Sequence, residues 1–183
     1  LLADLGNRSL DLDSTMRLRP HLLTSVLFTV AACSSSTENR LPAQAEAALR
    51  TARSMELLAL DPTPLARGAA VPEGGTFHDY PILGRATLAD AVQAKALGEL
   101  VLRGIRESDG TAAACFNPRH GIRVSQDGRT LDLVICYECL SLSVHGDLLG
   151  SGGPRLGLLT AQRVESGVSA IFEGAGLKTA PKH

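Results

Sequence analysis

The stretch Gly121-Ile122-Arg123-Val124-Ser125-Gln126-Asp127-Gly128-Arg129-Thr130-Leu131-Asp132-Leu133-Val134-Ile135 decides the fold. Ile122 and Val124 on one side, and Leu131, Leu133 and Ile135 on the other, alternate with polar residues at the period of a half-buried strand, and Asp127-Gly128 between them is a strong hairpin turn. If the chain reverses there, paired positions sum to 255, so that Ile122 opposes Leu133 and Val124 opposes Leu131. The two strands then share an apolar face that something else must cover.

Working outward, Leu140, Leu142 and Val144 continue the period of two as a further strand. A glycine-rich turn from Gly150 to Pro154 leads to an edge strand, Leu156–Thr160, and a closing helix, Arg163–Phe172. Upstream, Ala91, Ala94, Leu97, Leu100, Val101 and Ile105 line one helix face, with Asp90 as N-cap and Ser108-Asp109-Gly110 as the stop. Tyr80–Thr87 reads as a strand entering that helix, Leu65–Gly75 as loop, Glu56–Leu60 as a short strand and Pro42–Arg53 as a short amphipathic helix. Strands joined as hairpins, with helices between and after them, predict an α+β fold: a small antiparallel sheet with helices on one face. A doubly wound sheet would need a regular βαβ alternation that is missing. No dinucleotide fingerprint or P-loop occurs, since Gly150-Ser151-Gly152-Gly153 precedes Pro154 rather than a Lys-bearing helix.

Composition narrows the function classes. Of 183 residues 44% are apolar, enough for a core, and 18 basic side chains stand against 19 acidic ones. Such a near-neutral chain offers no basic surface for phosphates, so nucleic acid is not an expected partner. Only 3% of residues are aromatic and none is Trp. Stacking platforms are scarce, and the core rests on Leu, Val and Ala.

Residues 16–33 carry an address. Met16-Arg17-Leu18-Arg19-Pro20-His21 is a short cationic leader, Leu22–Ala32 is apolar but too short to span a bilayer, and Cys33 is followed by three serines. Val30-Ala31-Ala32-Cys33 resembles the lipobox of bacterial lipoproteins, in which the chain is cut before the cysteine and its thiol acylated. By that resemblance residues 1–15 are an upstream, non-native extension, 16–32 the signal peptide, 33–40 a tether and 41–183 one α+β domain. Cys33 is the lipidation site and the membrane, through that anchor, the partner. Ser34 after it resembles the outer-membrane class, facing the periplasm.

Cys115, Cys136 and Cys139 remain, in Cys115-Phe116-Asn117-Pro118-Arg119-His120 and Ile135-Cys136-Tyr137-Glu138-Cys139. These segments resemble a family of bacterial exported proteins without an assigned activity, over roughly residues 56–177; the resemblance supports the domain bounds and implies no chemistry.

Three readings of the cysteines compete. A disulfide suits the oxidising periplasm. Continuing the register puts Cys115 opposite Leu140, and a one-residue bulge at Pro118 or Gly121 brings it to Cys139; a Cys136–Cys139 bond instead requires a turn, since in a strand their Cα atoms would lie about 10 Å apart. The disulfide Cys115–Cys139, with no cofactor, is the leading expectation. The alternative is a zinc-like Cys3His site of Cys115, His120, Cys136 and Cys139, opposed by the pleat, which puts His120 and Cys136 on different faces. The third is redox chemistry at Cys136 and Cys139, disfavoured because strand-like sequence flanks the pair where an activated thiol would want a helix N-terminus. Arg119 and His120 are candidates for an anion or ligand site. No complete catalytic set is visible, and His78-Asp79 lacks a partner at a diagnostic spacing. The expectation is a non-catalytic binding or envelope-assembly domain.

Overall fold

The structure, a computed structural model, describes residues 38–182. The leader, the lipobox cysteine Cys33 and most of the tether lie outside the described residues.

Seven strands form one antiparallel sheet: β1 (Met55–Leu60), β2 (Thr76–Phe77), β3 (Tyr80–Leu88), β4 (His120–Gln126), β5 (Arg129–Cys136), β6 (Ser141–His145) and β7 (Arg155–Leu159), in the order β2-β3-β1-β4-β5-β6-β7. The helices are α1 (Ala43–Thr51), α2 (Ala91–Arg106) and α3 (Glu165–Gly174), with short 3₁₀ turns at Asp147–Gly152 and Gln162–Val164. The α+β class and the antiparallel sheet are as the sequence predicts, and β4 pairs with β5 in the predicted register, Ile122 against Leu133 and Val124 against Leu131.

The pleat sorts the sheet into two faces. One carries the transverse row Leu57–Ile122–Leu133–Val144–Leu156 and beside it Ala59–His120–Ile135–Leu142–Leu158. All three helices cover this face, contributing Ala45, Ala48 and Leu49 from α1, Leu97, Val101 and Ile105 from α2, and Val168 and Phe172 from α3. α2 starts as expected, Asp90 accepting from the amides of Val92 and Gln93, although Ala91, in its first turn, is exposed. α1 and α2 approach so closely that a Cβ on Gly98 would collide with the carbonyl of Leu49.

The second face is different. β1, between β3 and β4, is buried on both sides, and Leu58 and Leu60 join Val134 and Phe77 in a small second cluster. Phe77 reaches this cluster because Thr76–Phe77 and Tyr80–Pro81 form a tight hairpin that folds over the sheet; the sequence suggests a strand from Tyr80 but not its partner Thr76–Phe77. Gly121 beneath leaves room, since a Cβ there would stand 3.0 Å from the Phe77 ring. Alongside runs a row of polar residues, Glu56–Arg123–Asp132–His145–Arg155, one from each of β1, β4, β5, β6 and β7.

Candidate functional site

The His145–Arg155 end of that polar row borders a cavity of about 400 Å³ lined by Pro64, His78, Asp79, Tyr80, Phe116, Val134, Ser143, His145 and Arg155. The middle residue of the row, Asp132, is not part of that lining: it is buried at 4% exposure beneath His78 and held by three bonds. Arg123 grips it with Nε and Nη2, each 2.7 Å from a carboxylate oxygen, and His78 Nε2 lies 2.7 Å from Oδ2. Burial pushes the Asp132 carboxyl up, but the Arg123 and His78 bonds outweigh it and hold the group below its ordinary value. It is an anion that is already fully engaged.

His78 comes from the tip of the β2–β3 hairpin. Both turn residues, His78 at φ 49° and Asp79 at φ 75°, occupy the left-handed region that glycine or asparagine normally fills in such a turn. Non-glycine residues there are strained by about 1–2 kcal/mol each. The imidazole is thereby carried over the sheet and stacks on His145, centroids 3.8 Å apart and rings within 16° of parallel.

His145 Nε2 is 2.6 Å from Ser143 Oγ, two residues earlier on β6, and Arg155 Nε donates to the same oxygen at 3.0 Å. Burial, reinforced by the charges of His78 and Arg155, depresses His145 to about 4. At neutral pH it is therefore uncharged, and with Arg155 filling one lone pair, the Ser143 hydroxyl proton is free to go to Nε2. Arg155 itself is exposed and makes no salt bridge among the described residues. The site thus combines a neutral imidazole, a serine hydroxyl, a guanidinium with no ion pair among the described residues and the Asp79 carboxylate, beside the spent carboxylate of Asp132.

Beside it lie the cysteines. The chain turns sharply after β5, with Leu140 at φ 54° and its amide bonded to the Tyr137 carbonyl at 3.3 Å, and this brings the Cα atoms of Cys136 and Cys139 to 5.2 Å in a disulfide. The expected Cys115–Cys139 bond is corrected accordingly: the turn that the strand-like flanks disguised supplies the shorter loop. The β4–β5 register runs unbroken from His120, with no bulge at Gly121, and Cys115 lies in the irregular segment before β4. Cys115 is free and exposed, and its Sγ lies 2.7 Å from Cys139 Sγ.

His120 does not join the sulfurs. The three that cluster are Cys115, Cys136 and Cys139, whereas His120 points into the helix face, Nε2 3.2 Å from Ser169 Oγ and its ring edge-on to Tyr137 and Phe172. The Cys3His set is therefore not assembled, for the reason the pleat gives. A disulfide-bonded pair also offers no thiolates, leaving Cys115 as the one thiolate ligand of the three in this state. Nor do Arg119 and His120 form a joint anion site: as consecutive residues entering a strand they point to opposite faces. Arg119 is buried, with Nε donating to the Pro181 carbonyl at 3.0 Å and Nη1 to Glu138 at 2.8 Å, and Nη2 finds no partner among the described residues.

The pocket residues Ser143, His145 and Arg155, and Asp132 beside them, went unnoticed in the sequence. On β6 the signal was present as polar residues at every second position, Ser141, Ser143 and His145; on β5 and β7 Asp132 and Arg155 share their phase with Val134 and Leu159, and no such pattern marks them. Of the two rings following cysteines, Phe116 lines the cavity and Tyr137 is core. Compared with protein-family models, curated proteins and solved structures, the chain matches none.

Proposed function

We propose that the chain is a lipid-anchored lipoprotein of the bacterial envelope whose domain binds, without turning over, a small ligand bearing a carboxylate or phosphate group. Arg155 carries the binding half of this reading. It is a cation with no salt-bridge partner among the described residues, standing in an open cavity beside a serine hydroxyl and two imidazoles, with the Asp79 carboxylate elsewhere in the lining. A carboxylate or phosphate placed there meets charge-assisted donors from Arg155, and from His145 once that ring is protonated.

Ser143 and His145 resemble a nucleophile and its base, but the third member is committed elsewhere. Asp132, which could orient an imidazole, is engaged by His78 and Arg123. A base held near 4 is also far from the operating pH at which proton abstraction works best. Binding, with the fold stapled by Cys136–Cys139, is what this geometry favours. The anchor rests on the lipobox-like Val30-Ala31-Ala32-Cys33.

An anion close to His145 must favour its charged form, by about 1–3 pKa units at contact. The test is an NMR titration of the His145 ring with and without millimolar inorganic phosphate. Phosphate is expected to raise its midpoint from about 4, and R155A to abolish the response; an unchanged midpoint overturns the reading. Separately, C33S should release the protein from membranes, and continued membrane association refutes the anchor.

A further inference from the structure

We propose that Cys115, Cys139 and Cys136 form a thiol–disulfide exchange site, in which the exposed Cys115 connects external thiols to a disulfide they cannot otherwise reach. Cys136 and Cys139 are 1% and 0% exposed, so neither sulfur can be approached from solvent. Cys115 is exposed, and its sulfur already stands 2.7 Å from that of Cys139. Exchange proceeds by attack of a thiolate on a disulfide sulfur, and access is commonly what limits it. Among the described residues, Cys115 is the one cysteine with that access.

The step balances without an added oxidant. Cys115 thiolate attacks Cys139 Sγ, the Cys115–Cys139 bond forms as Cys136–Cys139 breaks, and the electron pair leaves on Cys136 Sγ, which takes up the proton that Cys115 lost. The surroundings suit this. Cys136 Sγ accepts from the Cys139 amide at 3.1 Å, a donor aimed at the sulfur that gains the charge. Cys139 Sγ accepts from the Asn117 amide at 3.3 Å. Glu138, between the two half-cystines, has its carboxylate paired with Arg119 at 2.8 Å, so its charge is neutralised next to the developing thiolate.

The attacking segment is pinned on both sides. The Ala113 amide donates to the Cys139 carbonyl at 3.1 Å, and the Phe116 carbonyl accepts from Tyr80 Oη at 3.4 Å. The two sulfurs are thus held together by the fold instead of meeting by chance collision, which is the benefit of an intramolecular reaction.

In the exchanged form the Cys115 sulfur is half of the disulfide. A low-molecular-weight thiolate can then attack it, giving a mixed disulfide at Cys115 and a free Cys139 thiolate. A second such thiolate releases the external disulfide and leaves Cys115 reduced, the external thiol being the reductant throughout. The substrate class is therefore a small thiol or its disulfide.

Two measurements on the intact protein test this. Acid-quenched wild type, digested with pepsin at low pH without reductant and mapped by mass spectrometry, should contain both the Cys136–Cys139 and the Cys115–Cys139 linkage. Reduction by glutathione should be at least tenfold slower in C115S, where the buried bond has lost its relay; position 115 is exposed, so this variant retains the fold. A single linkage in the wild type, equal reduction rates for wild type and C115S, or a wild type with three free thiols and one equivalent of bound zinc each overturns the proposal.

Discussion

Acid should destabilise the protein through one residue on the helix face of the sheet. His120 is 3% exposed, packed edge-on against Tyr137 and Phe172, and burial together with the charges of Arg119 and Lys182 depresses it to about 4. In the unfolded chain the same ring titrates near 6.5. Above that value both states hold it neutral and its contribution to stability is fully present. As the pH falls from 6.5 to 4 the unfolded chain takes up the proton first, and stability is lost at up to about 1.4 kcal/mol per pH unit. The full difference is about 3 kcal/mol, of which about 2.5 kcal/mol is reached by pH 4.5. Against a typical stability of about 5–15 kcal/mol that is a large fraction.

The perturbation is His120→Phe, which keeps an aromatic ring between Tyr137 and Phe172 and removes the titrating group. Urea unfolding followed by circular dichroism at pH 7.5, 6.5, 5.5 and 4.5 yields stability against pH for both proteins. Losing the bond to Ser169 shifts the whole H120F curve, but a shift is not a slope. His145 is also depressed to about 4, yet it is half-exposed and present in both proteins, so it cancels in the comparison. Asp132, held below its ordinary value, keeps its stabilising charge throughout this range and loses it only on further acidification, below about 4. Wild type should therefore fall about 2–2.5 kcal/mol further than H120F between pH 7.5 and 4.5. Parallel curves would refute the assignment of acid sensitivity to this ring.

Other perturbations follow from single contacts. Gly98→Ala raises helix propensity by about 1 kcal/mol, yet its Cβ meets the Leu49 carbonyl; overpacking should win, lowering urea stability by about 2 kcal/mol, and a stabilised variant would contradict the tight α1–α2 approach. Asp79→Gly relieves a left-handed residue and should raise the unfolding free energy by about 1 kcal/mol, read in the same assay. Glu138→Gln strips the charge from the partner of a guanidinium that is 6% exposed and should destabilise by about 3 kcal/mol, while E138Q/R119M recovers part of the loss.

Much of the sheet could be read from the chain because its pleat is regular. Once Asp127-Gly128 fixed the β4–β5 register, the alternation in Leu131-Asp132-Leu133 already placed Asp132 on the face away from the helices, and Ser143 and His145 follow by the same rule on β6. What a period of two cannot supply is which strands become neighbours. Glu56, Arg123, Asp132, His145 and Arg155 form a row only because β1 inserts between β3 and β4 and the remaining strands meander in order. His78 was harder still, since it enters through a two-residue turn whose left-handed backbone the His78-Asp79 pair does not advertise. The cysteine pairing failed for a related reason. Ile135-Cys136-Tyr137-Glu138-Cys139-Leu140 carries strand-forming residues straight through a turn closed by a leucine at positive φ, where glycine would have been the visible signal.

Tyr137 ties the two faces together. It lies inside the Cys136–Cys139 turn, and its ring packs edge-on against His120, 5.4 Å between centroids. The low proton affinity of His120 depends mainly on exclusion from water, and Tyr137 supplies part of that exclusion. Freeing Cys136 removes the covalent closure of the turn that seats Tyr137, so exchange on one face is expected to loosen the packing that keeps His120 neutral on the other. Linkage works in both directions. If the exchanged form admits more water to His120, that residue titrates closer to 6.5 there, and mild acid must in turn favour the Cys115–Cys139 bond over Cys136–Cys139. The ratio of the two linkages in wild type, compared between pH 7 and pH 5, should therefore shift toward Cys115–Cys139. In H120F it should stay constant, because the proton that couples the faces has nowhere to bind.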